Sequence, residues 1–147
     1  MDHAPFLDAA YAQARKSYDE GGLPIGSVLV ASSGTVLGEG HNQRVQKGSP
    51  ILHGEMDCLQ NAGRRASYRD TVLYTSLSPC MMCSGTIVQF GIPHVVIGDV
   101  ENFTGNVPFL ESQGVVVEVI PHTPSMDLMR RFIAEKPALW NEDIAEE

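Results

Sequence analysis

The sequence is short of everything that marks a secreted, membrane-crossing or nucleic-acid-gripping chain. It holds only three cysteines, Cys58, Cys80 and Cys83, and an odd count in a cytoplasmic-looking chain argues against a disulfide framework. No apolar run approaches the roughly 20 residues that a membrane-spanning helix needs. The first residues, Met1-Asp2-His3-Ala4-Pro5, have neither the basic start nor the apolar stretch of a signal peptide, so a cytoplasmic location and no membrane partner are expected. Basic residues are few: ten Lys and Arg stand against 18 Asp and Glu, for a net charge of −8. Their densest pairs are Arg64-Arg65 and Arg130-Arg131. A protein that neutralises phosphates usually carries a basic stripe, because counterion release supplies much of the affinity. Nucleic acid is therefore not expected as a partner.

No low-complexity tract, repeat or linker divides the 147 residues, and one domain over residues 1–147 is the simplest organisation. Leu7, Tyr11, Ala14 and Tyr18 recur at helical spacing, which predicts an amphipathic helix over Ala4 to Glu20, stopped by Gly21-Gly22. Ile25 to Ala31 and Thr35 to Gly40 read as an antiparallel hairpin turning at Ser33-Gly34. A short helix is expected from about Gly54 to Asn61, ending at Gly63. Thr71 to Thr75 is a β-branched and aromatic run, hence a strand. Pro79 to Phe90 reads as a helix with Ser78 as N-cap and Gly91 just past its end. Strands at Val95 to Ile97 and Val115 to Ile120 flank a short helix at Val107 to Ser112. Helices at Ser125 to Glu135 and Ala138 to Ala145, broken at Pro137, complete the pattern. Strand–helix–strand–helix–strand implies parallel pairing with right-handed crossovers. The expected fold is α/β, a mixed five-stranded sheet sandwiched between helices in three layers, α/β/α.

Two short motifs carry the chemistry. His53-Gly54-Glu55 begins one predicted helix, and Pro79-Cys80-Met81-Met82-Cys83 begins another directly after a strand. Zinc takes thiolate and imidazole ligands in tetrahedral geometry, and a catalytic zinc keeps a fourth position for water. Cysteines three apart at a helix start share one face, and the positive end of the helix favours thiolates. With His53 they make three protein ligands for one zinc per chain. Such a metal lowers the pKa of its water to about 7. An amino leaving group must also be protonated, and Glu55, two residues from His53, is placed to shuttle that proton.

The combination H-x-E…P-C-x-x-C resembles the signature of the zinc deaminases. The chain is similar to the cytidine/cytosine deaminase superfamily, and to the fungal-type cytosine deaminases in particular, nearly from end to end. The resemblance rests on Glu20-Gly21-Gly22-Leu23-Pro24-Ile25-Gly26, Gly40-His41-Asn42-Gln43-Arg44, Gln46-Lys47-Gly48-Ser49, Leu52-His53-Gly54-Glu55 and Leu77-Ser78-Pro79-Cys80. It continues through Phe90-Gly91-Ile92-Pro93 to Trp140-Asn141-Glu142-Asp143. It implies a cytidine deaminase-like fold, hydrolysis of a free nucleobase (cytosine to uracil plus ammonia, a step of pyrimidine salvage) and a homodimer. It also implies that Asn42 and the Gly54 amide hold the polar edge of the ring, and that the Ser78 carbonyl and Asp143 hold the amino group. Phe103 and Trp140 would cover the ring, under a C-terminal helix acting as a lid. An amide side chain offers donor and acceptor together, and aromatic walls suit a planar base. Met56-Asp57-Cys58 and Asn141 depart from the fungal pattern. Asp57 and Cys58 are expected near the site, and these departures leave isocytosine, creatinine-like rings and guanine open as alternative substrates.

Other readings stand beside these. Cys58 could supply a fourth ligand to a purely structural zinc, although it lies roughly 140° around a helix from His53; otherwise it is a core cysteine. A redox C-x-x-C needs no H-x-E partner. A transfer-RNA adenosine deaminase shares the zinc motif but calls for a basic groove. His3, His41, His94 and His122 show no ligand spacing and are expected at the surface or in hydrogen bonds. Phe103 and Trp140 would by default be core aromatics, and Glu142-Asp143 with Glu146-Glu147 a solvated helix face.

Overall fold

Helices pack on both faces of a central sheet because its strands alternate two apolar sets. The computed structural model describes residues 1–146; Glu147, the end of the expected acidic face and of the single domain, lies outside them. In chain order the elements are α1 (Ala4–Asp19), β1 (Gly26–Ala31), β2 (Val36–His41), α2 (Arg44–Lys47), α3 (Gly54–Ala62) and β3 (Thr71–Thr75). They continue as α4 (Met81–Phe90), β4 (His94–Ile97), α5 (Val107–Ser112), β5 (Val116–Val119), α6 (Thr123–Glu135) and α7 (Pro137–Asp143). The sheet order is β2-β1-β3-β4-β5. β1 is antiparallel to β2 and β3, whereas β3, β4 and β5 run parallel. This is the mixed five-stranded α/β sheet that the alternation of motifs predicts.

Side chains two apart on a strand share a face. Leu29, Leu73, Val95 and Ile97 join Cys58 and Ile87, so one face lies under α3 and α4. Val28, Val30, Tyr74 and Val96 join Leu7 and Ala10 of α1 on the other. A third cluster, with Leu23, Ile25, Leu77, Phe132 and Trp140, seats α6 and α7. On α1 the buried positions are Leu7, Ala10, Ala14 and Ser17, so the buried stripe is rotated away from the expected Tyr11 and Tyr18. The approach of α3 to β2 depends on Gly40: a Cβ there would sit 2.2 Å from the Cys58 backbone nitrogen.

Two expectations need correction. Ser78 does not cap α4; Cys80 takes the N-cap with an extended backbone (φ −71°, ψ 178°). The Ser78 hydroxyl instead donates to the Thr104 carbonyl at 3.0 Å, and its N–H to the Asp99 carbonyl at 2.9 Å. Cys58 is a core residue and no metal ligand: it is 0% exposed and its Sγ donates to the Gly38 carbonyl at 3.4 Å.

That burial predicts an alkaline limit. Burial pushes the Cys58 thiol far above its ordinary range, so the folded chain keeps a proton that the unfolded chain releases near pH 8.5. Its contribution to stability is complete below that pH and is lost as pH rises. Between about pH 9 and 11, Cys58→Ser should therefore flatten the fall of unfolding free energy by about 1.4 kcal/mol per pH unit. Urea titrations of both proteins across that range measure the two slopes, and equal slopes would refute it.

Candidate active site

Two helix starts meet edge to edge. His53 is the N-cap of α3 and Cys80 the N-cap of α4, and neither side chain caps its own helix. Both are free to turn toward each other. The His53 Nδ1 lies 3.4 Å from Cys80 Sγ and 3.8 Å from Cys83 Sγ, and all three donor atoms fall within 4.8 Å of one another. A tetrahedral zinc with Zn–S near 2.3 Å and Zn–N near 2.0–2.1 Å sets its S–N edge at about 3.6 Å. The donor chemistry and the spacing both fit that ion. The far nitrogen of the same ring, Nε2, lies 3.4 Å from Asp143 Oδ1, an orienting carboxylate of the kind that fixes a ligating imidazole.

The sulfurs are electrostatically unequal. Hydrogen bonding from Cys83 outweighs burial and, with His53, holds the Cys80 thiol down to about 4. Cys83 goes up, through its hydrogen bond to Cys80 and its burial. Burial works against the His53 imidazolium, but the bond to Cys80 and the charges of Asp143 and Glu55 outweigh it and raise its pKa to about 9.

Glu55 occupies the first turn of α3, 4% exposed. Burial, aided by the Cys80 charge, pushes its carboxyl up to about 7, where a general acid–base group works at neutral pH. Around it lies a small cavity of about 20 Å³, lined by His53, Glu55, Ser78, Cys80, Phe103, Trp140 and Asp143 together with Ile25, Leu77 and Ile144. The Phe103 and Trp140 rings meet at 89° with centroids 6.0 Å apart. The Asp143 side chain is 6% exposed, and its carboxyl is raised, by desolvation first.

Four of the six expected substrate contacts thus line the cavity: Ser78, Phe103, Trp140 and Asp143. Asn42 and Gly54 do not. Asn42 is fully buried, its Oδ1 accepting from the Arg44 N–H at 2.9 Å and its Nδ2 donating to Asp143 Oδ1 at 3.4 Å, so it reaches the cavity through Asp143. Gly54 opens α3 beside His53, against the Ile25 carbonyl. Asp57 also misses the cavity: its carboxylate accepts from the His41 N–H at 3.0 Å and from Gln43 Nε2 at 3.1 Å, anchoring the turn that presents Asn42. Asn141 is likewise absent from the lining. Ile25, Leu77 and Ile144 were not anticipated. The only signal for them is their place beside Gly26, Ser78 and Asp143.

Residues 1–99 match the family described as the cytidine and deoxycytidylate deaminase zinc-binding region. The cytosine deaminase of Candida albicans is 53% identical over 148 residues, covering 99% of both chains. The chain belongs to this deaminase family. It is a hydrolytic deaminase whose family domain binds zinc, and its His53–Cys80–Cys83 cluster is where one zinc fits. The tRNA-specific adenosine deaminase of Streptococcus pyogenes is 38% identical over 96 residues, 63% of this chain and 60% of that one. Among solved structures, guanine deaminase from Nitrosomonas europaea superposes with a TM-score of 0.71 at 21% identity, covering 88% of this chain and 83% of that one. A deaminase of A-to-I editing at the wobble position of transfer RNA gives 0.70 at 24%, covering 82% and 100%. Both are similar in fold.

Proposed function

We propose that this deaminase hydrolyses free cytosine to uracil and ammonia, as one domain over residues 1–147. The observation that carries the reading is a buried Glu55, its carboxyl raised to about 7, beside the His53–Cys80–Cys83 cluster in a narrow, aromatic-walled cavity. The full-length similarity to a cytosine deaminase supports the choice of base. Zinc bound by His53 Nδ1, Cys80 Sγ and Cys83 Sγ supplies Lewis acidity, bringing the pKa of water to about 7. Hydrolysis joins a water oxygen to the ring carbon and breaks its bond to the exocyclic amine. Glu55 accepts the water proton, delivers it to the ring nitrogen, and carries a second proton to the amine, which leaves as ammonia. Asp143 and the Ser78 carbonyl accept from the amino group. Asn42 positions Asp143 through its Nδ2 bond, and with the Gly54 N–H it meets the polar edge of the ring only once α7 has moved aside. One of Phe103 and Trp140 stacks on the ring while the other closes its edge.

A pyrimidine needs far more room than about 20 Å³, so α7 swings aside for entry and shuts over a bound base. Arg44 Nη2 holds the lid shut from α2 by pairing with Glu142 Oε1 at 3.3 Å. A ribose on the ring would prop that lid open. Ammonia release from cytosine, isocytosine, creatinine, guanine, cytidine and adenosine, run in parallel, tests the reading. Cytosine should be fastest, with kcat/KM above that of cytidine by at least about 10². Faster release from another base would displace cytosine; comparable turnover of cytidine would refute the closed lid.

The protein is a homodimer in this reading. The face between α3 and α4 exposes Ile51 and Phe90 along a groove of about 750 Å³, and apolar patches of that kind are commonly covered in assemblies. Light scattering should give twice 16.0 kDa. The three unpaired cysteines support a reducing, cytoplasmic setting and a role in pyrimidine salvage. A net charge of −8 speaks against transfer RNA as substrate, so binding to RNA should show no steep salt dependence.

A further inference from the structure

The sheet gathers a second set of ligating side chains from places far apart in the chain. His94 opens β4, Glu118 lies on β5 and His3 caps the start of α1. The parallel register pairs His94 with Val116 and Val96 with Glu118, so His94 and Glu118 stand on one face of neighbouring strands, one pleat apart. Tyr74 of β3 pairs with Val96 and extends the row. Glu118 then reaches both imidazoles: Oε2 lies 3.2 Å from His3 Nε2, and Oε1 lies 3.0 Å from His94 Nε2. The two rings meet edge-on at 88°, centroids 5.7 Å apart, and the three donor atoms lie within 4.8 Å of one another. His94 is level with Val72 at the start of β3, whereas Cys80 follows that strand's end, so this cluster is separate from the catalytic one.

Two details favour an ion over a carboxylate merely bridging two imidazoles. The His94 Nε2 is buried and has no hydrogen-bond partner; Glu118 Oε1 is close enough but off the line that an N–H would require. The His3 Nδ1 is hydrogen-bonded to the Tyr74 hydroxyl at 2.6 Å, which leaves Nε2 as its ligating atom and supplies the outer partner that ligating histidines usually have. Burial pushes Tyr74 up to about 12, so it stays a neutral phenol. The spacing is compatible: each imidazole nitrogen lies within 3.0–3.2 Å of its own Glu118 oxygen, and one donor atom of each residue falls within 4.8 Å of the others.

We propose that His3 Nε2, His94 Nε2 and the Glu118 carboxylate form an accessory site for a divalent transition metal, zinc first, that ties the start of α1 to β4 and β5. Two imidazoles with one carboxylate suit zinc, copper or nickel; magnesium and calcium prefer all-oxygen sets. The remaining coordination positions go to water.

Enzyme carrying one zinc is dialysed against buffered micromolar zinc and its metal content measured. Wild type should reach two zinc per chain, while His94→Ala and Glu118→Gln should stay at one with ammonia release unchanged. Tyr74→Phe should weaken the second equivalent about 10-fold. Cobalt added to the one-zinc enzyme should give d–d bands without the thiolate charge-transfer band of the cysteine site. Wild type holding one zinc throughout the range would overturn the site. So would a second equivalent that survives in both His94→Ala and Glu118→Gln.

Discussion

Replacing Glu55 by Gln should leave one zinc per chain and cut turnover by about 10² or more. Gln keeps the volume and a carbonyl oxygen, so the first turn of α3 and the cavity lining stay filled. What it loses is the exchangeable proton. Glu55 does not number among the metal-cluster residues, so metal content is independent of it. The burial that lifts its carboxyl to about 7 suits it to both halves of the reaction, since near neutrality it can accept and donate with equal ease. The acid form is favoured below that pH and the carboxylate above it, so a group that must first accept a proton loses competence as pH falls. Wild-type kcat/KM should therefore decline toward acid as Glu55 takes up its proton, and the residual rate of Glu55→Gln should lose that limb. Steady-state ammonia release with parallel metal analysis decides it. Turnover within a few-fold of wild type would remove Glu55 from proton transfer, and loss of zinc would make it a structural support.

The ease with which the site can be read from sequence follows from the locality of its parts. His53, Glu55, Cys80 and Cys83 belong to two short motifs, and each motif is one helix start. Strand β3 and helix α5 fall at the expected residues because Thr71–Thr75 is densely β-branched and the helix is bounded by Val107-Pro108 and Gly114. Failures occur where a tertiary partner outbids local preference. Ser78 has the composition of a cap, but Thr104 and Asp99 take its hydroxyl and N–H, and Cys80 inherits the cap position. Asp57 and Cys58 follow Glu55 directly, yet the helical turn aims them at His41 and Gly38, behind the site. Helix α2 is a single turn without apolar periodicity, so nothing in the hydrophobic pattern marks it. His3, His94 and Glu118 have no ligand spacing at all; strand register and the docking of α1 alone bring them together.

Replacing Cys83 by Ser should do what Glu55→Gln does not: empty the metal site. Cys83 is 0% exposed, one turn into α4, and its hydrogen bond is the largest influence holding Cys80 as a thiolate. A serine hydroxyl is not a thiolate. Its proton is far harder to remove, and as a hard, neutral oxygen it is a poor ligand for zinc, which pairs well with sulfur. The variant thus loses one ligand and weakens a second by leaving Cys80 without its partner. His53 and Cys80 alone would bind zinc weakly, and with them goes the cross-link between the starts of α3 and α4. Zinc content should fall from one per chain to a small fraction, ammonia release should be lost, and the melting temperature should drop toward that of chelator-treated wild type, because metal binding free energy is also folding free energy. Chelated wild type should recover activity when zinc returns, and the variant should not. If Cys83→Ser keeps a full zinc and measurable turnover, the metal lies elsewhere than on His53, Cys80 and Cys83. If it loses zinc while its melting temperature stays at the holoenzyme value, the ion contributes to chemistry alone and the two helix starts are held by packing.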